Sequence, residues 1–300
     1  MNRGLYVEAQ IRGPLDRVWD LTQKPALHQR WDLRFSTITY LPRASAEAPQ
    51  RFLYTTRIGF GLAIRGTGES IAVRKINEEE QVSSLRFGSD EKLSLILEGA
   101  GYWKYRPGDS PQAVTFLTWY DYSTRFGVLG RVADTVFRPL LGWATAWSFD
   151  RLRLWVEDDC PPEVVRTMTL IYAVARLSIV FVWLWHGLVP KLLFQNADEL
   201  LMLRAVGLAG TALPWMGAAE VLAGTVGLLF WRWRGYFLLT AVAMIVALCT
   251  VSLRSPAYVW AAFNPVTLNS CVLALSGVGW CASRFTAFAG RCLRRPRKGK

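Results

Sequence analysis

The chain has only two histidines in 300 residues. One of them, His186, lies inside a long apolar run, RLSIVFVWLWHGLVPK (176–191), bracketed by Arg176 and Lys191. At about 100° per residue, Arg176, Val180, Trp183, Gly187 and Pro190 share one helix face, His186 sits at its margin, and Trp185 and Ser178 point the other way. A second apolar run, 208–231, holds a single acid, Glu220, with Gly217 and Gly224 beside it. Ala219, Ala223 and Gly227 form a stripe of small residues suited to close helix packing. A further run, 260–282, carries Asn264 and Asn269, and Pro265 frees a backbone carbonyl. A charge at the centre of a bilayer costs about 2.5–3.5 kcal/mol on the mildest scale, so Glu220 must protonate or find a partner. Arg176 is the first candidate and His186 the second. At about 1.5 Å per residue, Glu220 falls between those two in depth. The expected membrane cluster is therefore Arg176, His186, Glu220, Asn264 and Asn269. Three roles stay open for it: fixing which helices meet, holding the polar head of a quinone or lipid, or passing protons or substrate. Four helices without broken repeats suit a transporter poorly. Lys191 is expected only to mark the outer interface.

The first half offers fewer groups. His28, beside Arg30 and Trp31, reads as a surface or rim residue rather than a base. Glu69 and Glu98 fall in strand patterns from which they could enter a cavity. Trp103, Phe116, Trp119, Tyr120 and Trp143 are the expected wall of an apolar pocket, with core packing as the competing role. No P-loop, GxSxG or HExxH is present, and GFGLAIRG has too few ordered glycines for a nucleotide site. The cysteines Cys160, Cys249, Cys271, Cys281 and Cys292 form no CxxC pair and no cluster with histidine, so buried unpaired thiols are expected, with no metal site and no cofactor.

These residues need elements to hold them. Apolar residues make up 52% of the chain and concentrate after about residue 168, while most acids lie before it. Four runs approach the length of about 20 residues that a membrane helix needs: 168–189, 208–231, 236–253 and 260–282. Their links are short, so neighbouring helices should run antiparallel. Arg232 and Arg234 in one link, and seven Lys or Arg from Arg284 to Lys300, put both termini on the cytoplasmic side of an inner membrane. The basic tail serves as a topology anchor on anionic lipid, so the net charge of +12 needs no nucleic-acid partner. The start, MNRGLYVEAQIRG, has no apolar core of signal-peptide length.

Before residue 158 the pattern changes. LYVEAQI alternates like a strand, and PLDRVWDLTQ has helical spacing with Pro14 suited to a first turn. FSTITYL, RFLYTTRIGF, AIRGTGESIAVRKI, VSSLRFG, KLSLILEGAGYWKY and AVTFLTWYDYS read as six further strands. A long helix follows, GRVADTVFRPLLGWATAWSFDRLRLWVE, with Val132, Val136, Leu140, Trp143 and Trp147 along one face. Pro139 should kink or restart it. An antiparallel sheet that buries one face needs a cover, and this helix is the obvious one. The expected fold is α+β, a sheet wrapped on a long helix (1–158), then a linker (159–165), an all-α four-helix membrane bundle (166–284) and a basic tail (285–300).

The stretch VEAQIRGPLDRVWDLTQKPALHQRWD (7–32), with Trp19 as the buried tryptophan and Trp31-Asp32 closing a short helix, resembles the START-like, or polyketide-cyclase-like (SRPBCC), superfamily. That resemblance implies a helix-grip fold with a hydrophobic ligand cavity. Some such domains are cyclases or hydrolases, and many only carry apolar molecules. RLSIVFVWLWHGLVPKLL (176–193), GAAEVLAG (217–224) and FNPVTLN (263–269) resemble the DoxX-like family of four-helix membrane proteins, which implies quinone-linked or redox partners. Taken together, the expectation is a multi-pass membrane protein that binds a hydrophobic or lipid-like, quinone-like molecule without changing it. Two alternatives stand beside it: an enzyme acting on such a ligand, and an assembly subunit beside a membrane oxidoreductase. Fold alone does not choose among them.

Overall fold

The computed structural model describes residues 4–43, 45, 48–59, 61–75, 80–110 and 112–296. The chain forms two units, 1–165 with 287–300, and 166–286.

The first unit begins with β1 (Leu5–Arg12), α1 (Leu15–Gln23) and α2 (Pro25–Trp31). Six strands follow: β2 (Thr37–Tyr40), β3 (Gln50–Gly59), β4 (Leu62–Lys75), β5 (Gln81–Gly88), β6 (Ile96–Pro107) and β7 (Ala113–Thr124). The long α3 (Gly127–Glu157) completes the run. The strands make one antiparallel sheet in the order β1-β7-β6-β5-β4-β3-β2, so the helix-grip expectation holds. Each strand after β2 pairs with its predecessor. Only β1 crosses over, docking on β7 with Leu5 opposite Tyr120 and Arg12 opposite Ala113. The core lies under β1, β6 and β7, where Val7, Ile11, Tyr105 and Phe116 meet Phe149 and Leu152 of α3.

Three details differ from the sequence reading. The fully buried tryptophan is Trp31, whose Nε1–H donates to Leu21 O at 2.8 Å, whereas Trp19 is half-buried against Tyr105. In α3 the stripe Val132, Val136, Leu140 and Trp143 stays 46–63% exposed, and only Trp147 of that set is buried. The inward face carries Gly142, Thr145, Phe149 and Leu152 instead. The reason is close approach: a Cβ on Gly142 would stand 3.1 Å from Leu5 Cδ2. The helix also runs unbroken through Pro139, which lies on the exposed side where water can satisfy the freed carbonyl.

The last part of the chain completes this unit. Trp147 Nε1–H donates to Ala287 O (3.1 Å), Phe288 N–H to Asp150 Oδ2 (2.7 Å), and Leu293 exchanges two 2.9 Å backbone bonds with Glu8. Arg291 reaches the buried Asp150 at 3.2 Å. Residues 287–293 are thus a clasp on α3 and β1, where the sequence suggested only a solvated basic tail. Arg297, Lys298 and Lys300 of that expected tail lie outside the described residues.

The second unit contains four helices long and apolar enough to cross a membrane. The first is α4 (Pro162–His186), continued by a π-helical turn over Gly187–Leu193. A short helix, α5 (Ala197–Ala205), precedes α6 (Leu213–Leu229), α7 (Gly235–Arg254) and α8 (Pro265–Ala282). The first crossing starts earlier than the apolar run because Pro161-Pro162 favours a helix start there. Small residues set the packing of α6, but its buried positions are Leu213, Gly217, Gly224 and Gly227, while Ala219 is exposed. Cys249, Cys271 and Cys281 are exposed on the surfaces of α7 and α8, and of the five thiols only Cys160 and Cys292 are buried.

Candidate functional site

The sheet and α3 enclose a cavity of about 580 Å³, within the range of small-molecule sites. Period-2 alternation builds its wall. Phe52, Tyr54, Thr56 and Ile58 face it from β3, Ser83, Leu85 and Phe87 from β5, and Thr118 and Tyr120 from β7. Leu33, Ile58, Leu93 and Leu140 line the cavity yet are 45% exposed or more, so the mouth is largely apolar, with the exposed Arg57 beside Ile58. A broader groove of about 780 Å³ runs past Arg51, Glu69, Arg86, Glu98 and Asp121, but it is open to solvent and charged.

Of the five aromatics expected here, Trp103 and Tyr120 line the cavity. Phe116 does not: it is fully buried, stacked on Phe149 with centroids 4.4 Å apart. Trp119 occupies the opposite face of β7, stacked on Tyr102, as strand alternation requires of a residue between Thr118 and Tyr120. Trp143 is exposed and stacks on Trp147. Glu69 and Glu98 belong to the open groove, where Arg51 meets Glu69 at 3.6 Å.

The polar feature of the cavity is a residue that sequence reading put on the surface. His28, on α2, is 9% exposed and lines the wall. Its ring lies 4.9 Å from Trp103 and 5.2 Å from Phe35, centroid to centroid. One turn later, Asp32 follows the last residue of α2 and accepts from His28 Nε2 at 3.0 Å. Arg34 grips the same carboxylate with Nε at 2.9 Å and Nη2 at 2.6 Å. Burial alone would raise the Asp32 carboxyl, but the Arg34 charge and the hydrogen bonds from His28 and Arg34 hold it well below the usual range. Burial is also the main influence on His28 and pushes it below the ordinary histidine value, toward the neutral form, with the Asp32 contact opposing it and Arg34 assisting. Because an ionised carboxylate only accepts, the His28 proton is on Nε2 and Nδ1 is a bare acceptor. The signal that could have found this pair was the i, i+4 spacing of His28 and Asp32, which puts both on one face of α2.

The expected membrane cluster separates into two. Arg176 is fully buried and does not pair with Glu220. Its guanidinium donates to Gly227 O (2.8 Å), Phe230 O (2.6 Å), Trp233 O (3.2 Å) and the Tyr172 hydroxyl (3.0 Å). The first two carbonyls lie at the C-terminal end of α6, where intrahelical partners run out, so Arg176 serves as a buried cap. Glu220 instead faces Lys191, with Nζ 3.1 Å from Oε2 in an ion contact without hydrogen-bond alignment, and Lys191 also binds Glu199 at 3.1 Å. Lys191, on the π turn, is 5% exposed and stands between two carboxylates, so it does more than mark an interface. His186 and Asn269 are half-buried and form no hydrogen bond with either group. Asn264 caps α8, accepting from Thr267 N–H at 2.8 Å.

Residues 180–277 match the DoxX-like family model. The membrane protein YndG of Bacillus subtilis (strain 168) is 50% identical over 184 residues, 61% of this chain and 68% of YndG. Among solved structures, TTHA0849 of Thermus thermophilus is 15% identical, covers 51% of this chain and 96% of its own, and has a TM-score of 0.38. The Zhui aromatase/cyclase of Streptomyces sp. R1128 is 12% identical, covers 41% and 68%, and has a TM-score of 0.34. With half its residues identical across two thirds of that relative, the chain belongs to the family of the membrane protein YndG, and it joins a helix-grip domain to a DoxX-like membrane domain.

Proposed function

We propose that this protein is a membrane-held binding protein for a hydrophobic or lipid-like small molecule, taken up in the helix-grip cavity. The observation that carries this reading is a cavity of about 580 Å³ with a mainly apolar wall and the exposed apolar residues Leu33, Ile58, Leu93 and Leu140 on its lining. Such a lining favours ligands already partitioned into lipid, and attachment to four spanning helices raises encounter with them. The chain before residue 166 and the chain after residue 286 belong to one unit, which supports an even number of crossings. The Lys and Arg bias favours the cytoplasmic side of an inner membrane.

A second reading, an enzyme acting on the same ligand, is favoured by one observation. His28 with Asp32 places a neutral imidazole of fixed tautomer on the cavity wall, an arrangement able to accept a proton.

The test is mass spectrometry of small molecules extracted from the purified full-length protein and from Ala144→Trp, which fills the cavity beside α3. A stoichiometric apolar compound in the first and its loss in the second is the expected result. If both are empty and an oxidoreductase co-purifies, an assembly role replaces the binding role.

A further inference from the structure

We infer that the ligand is an apolar ring compound carrying a phenolic or enolic hydroxyl, and that this hydroxyl donates to Nδ1 of His28. The inference rests on the cavity reading above and adds the chemistry of the ligand's head.

Four observations support it. Asp32 fixes the His28 proton on Nε2, as the 3.0 Å contact to an acceptor-only carboxylate requires. Arg34, gripping both oxygens of Asp32, keeps that carboxylate ionised and so keeps the tautomer. No described residue hydrogen-bonds Nδ1, and it is not among the fully enclosed unpaired atoms. The open space that His28 lines is the cavity. Around it stand Trp103, Phe35 and Tyr54, whose ring faces and edges suit a flat apolar body. An acceptor left bare in an apolar wall disfavours a ligand that cannot donate to it. It also disfavours a carbonyl or carboxylate head at the same spot, because two acceptors would face each other. A phenol or enol is the stronger donor among hydroxyls and therefore the better match. Tyr54, Tyr120 and Tyr40 do not compete for Nδ1: their hydroxyls bond Gly88 O, Thr145 and Gln23 O.

The experiment uses the full chain in lipid nanodiscs, labelled with ¹⁵N on the histidine rings. With two histidines in the chain, the variant His186→Gln assigns the signals. The probes are 2-naphthol and 2-methoxynaphthalene, alike in body and differing in the hydroxyl proton, with empty nanodiscs as the partition reference. Before any probe, His28 should show the neutral tautomer with the proton on Nε2. 2-Naphthol should shift the Nδ1 resonance and bind about 3- to 10-fold more tightly than its methyl ether, the ratio for one added neutral hydrogen bond. His28→Phe, which keeps a ring in the wall, should erase that preference. Equal binding of the two probes with Nδ1 unmoved would overturn the hydroxyl assignment and leave the cavity reading standing. A proton on Nδ1 in the unliganded protein would do the same without any variant. Binding of neither probe above the empty discs would overturn both.

Discussion

Asp32→Asn is the substitution whose cost can be reasoned most closely. Asp32 is 1% exposed and receives four donors: His28 Nε2 at 3.0 Å, Arg34 Nε at 2.9 Å, Arg34 Nη2 at 2.6 Å and the Arg34 backbone N–H at 3.1 Å. Asparagine keeps the shape but has only one acceptor oxygen. Whichever way its amide turns, the NH₂ meets either the Arg34 Nε and backbone N–H or the Arg34 Nη2 and His28. The charge of Arg34 is stranded at the same time, with its side chain 13% exposed. Removing one partner of a buried pair costs about 3–5 kcal/mol. Arg34 borders the cavity and can recruit water there, so the lower figure applies, about 3 kcal/mol. Hydrogen exchange on β6 and β7 peptides, read in the full chain in micelles, measures this without assuming that both units melt together. The sheet amides should exchange about a hundredfold faster in Asp32→Asn. Adding Arg34→Met, which removes the stranded cation, should recover part of the loss. Exchange within about twofold of the parent would refute the reasoning, because it would mean that the carboxylate is not carrying Arg34.

Other expectations follow from the same geometry. Below the ordinary histidine value of 6.5, the unfolded chain takes a proton that buried His28 resists, so the first unit should lose stability as pH falls through that region. His28→Phe should flatten the decline in a pH series of exchange rates. Arg176→Lys should fail to replace the arginine, since an ammonium cannot serve Gly227 O, Phe230 O and Trp233 O from one planar fork. A loss of about 2–3 kcal/mol is expected in detergent unfolding, and an unchanged midpoint would count against the cap. Gly187→Ala would set a Cβ 2.6 Å from Gly217 O and should destabilise the membrane unit by about 1–3 kcal/mol. Gly277→Ala, with open space around it, should be neutral or stabilising in the same assay. Lys191→Met should destabilise by leaving Glu199 and Glu220 facing each other without a cation, and Glu220→Gln added to it should restore part of the loss.

Much of the architecture was legible because it is written in periodicity. Alternation found all seven strands, and apolar length found the four crossings. What periodicity does not encode is which of two apolar faces turns inward. On α3 the larger residues Val132, Val136 and Trp143 looked like the buried face, yet β1 comes so close that Gly142 and Thr145 had to fill it. For the site, the phase of β7 excludes Trp119 from the wall that Thr118 and Tyr120 share. Partner choice in the membrane was harder to read. Helix geometry put Arg176 on an interior face, and it is buried, but the free carbonyls ending α6 outcompete a carboxylate a full turn or more away. The burial of Lys191 is not legible in the sequence pattern, because it lies where the chain widens from an α-helix into a π turn. The i, i+4 spacing of His28 and Asp32 is visible in the sequence, but spacing alone does not show that this face of α2 is buried.

The return of residues 287–293 to α3 and β1 has a consequence for biosynthesis. Trp147, Asp150 and Glu8 are made early, but their partners Ala287, Phe288 and Leu293 leave the ribosome only after all four spanning helices. The first unit therefore cannot be finished until the membrane segment has been threaded and released. Membrane insertion is built into its folding order, and truncation just after the last crossing would leave a domain near the N-terminus unclosed.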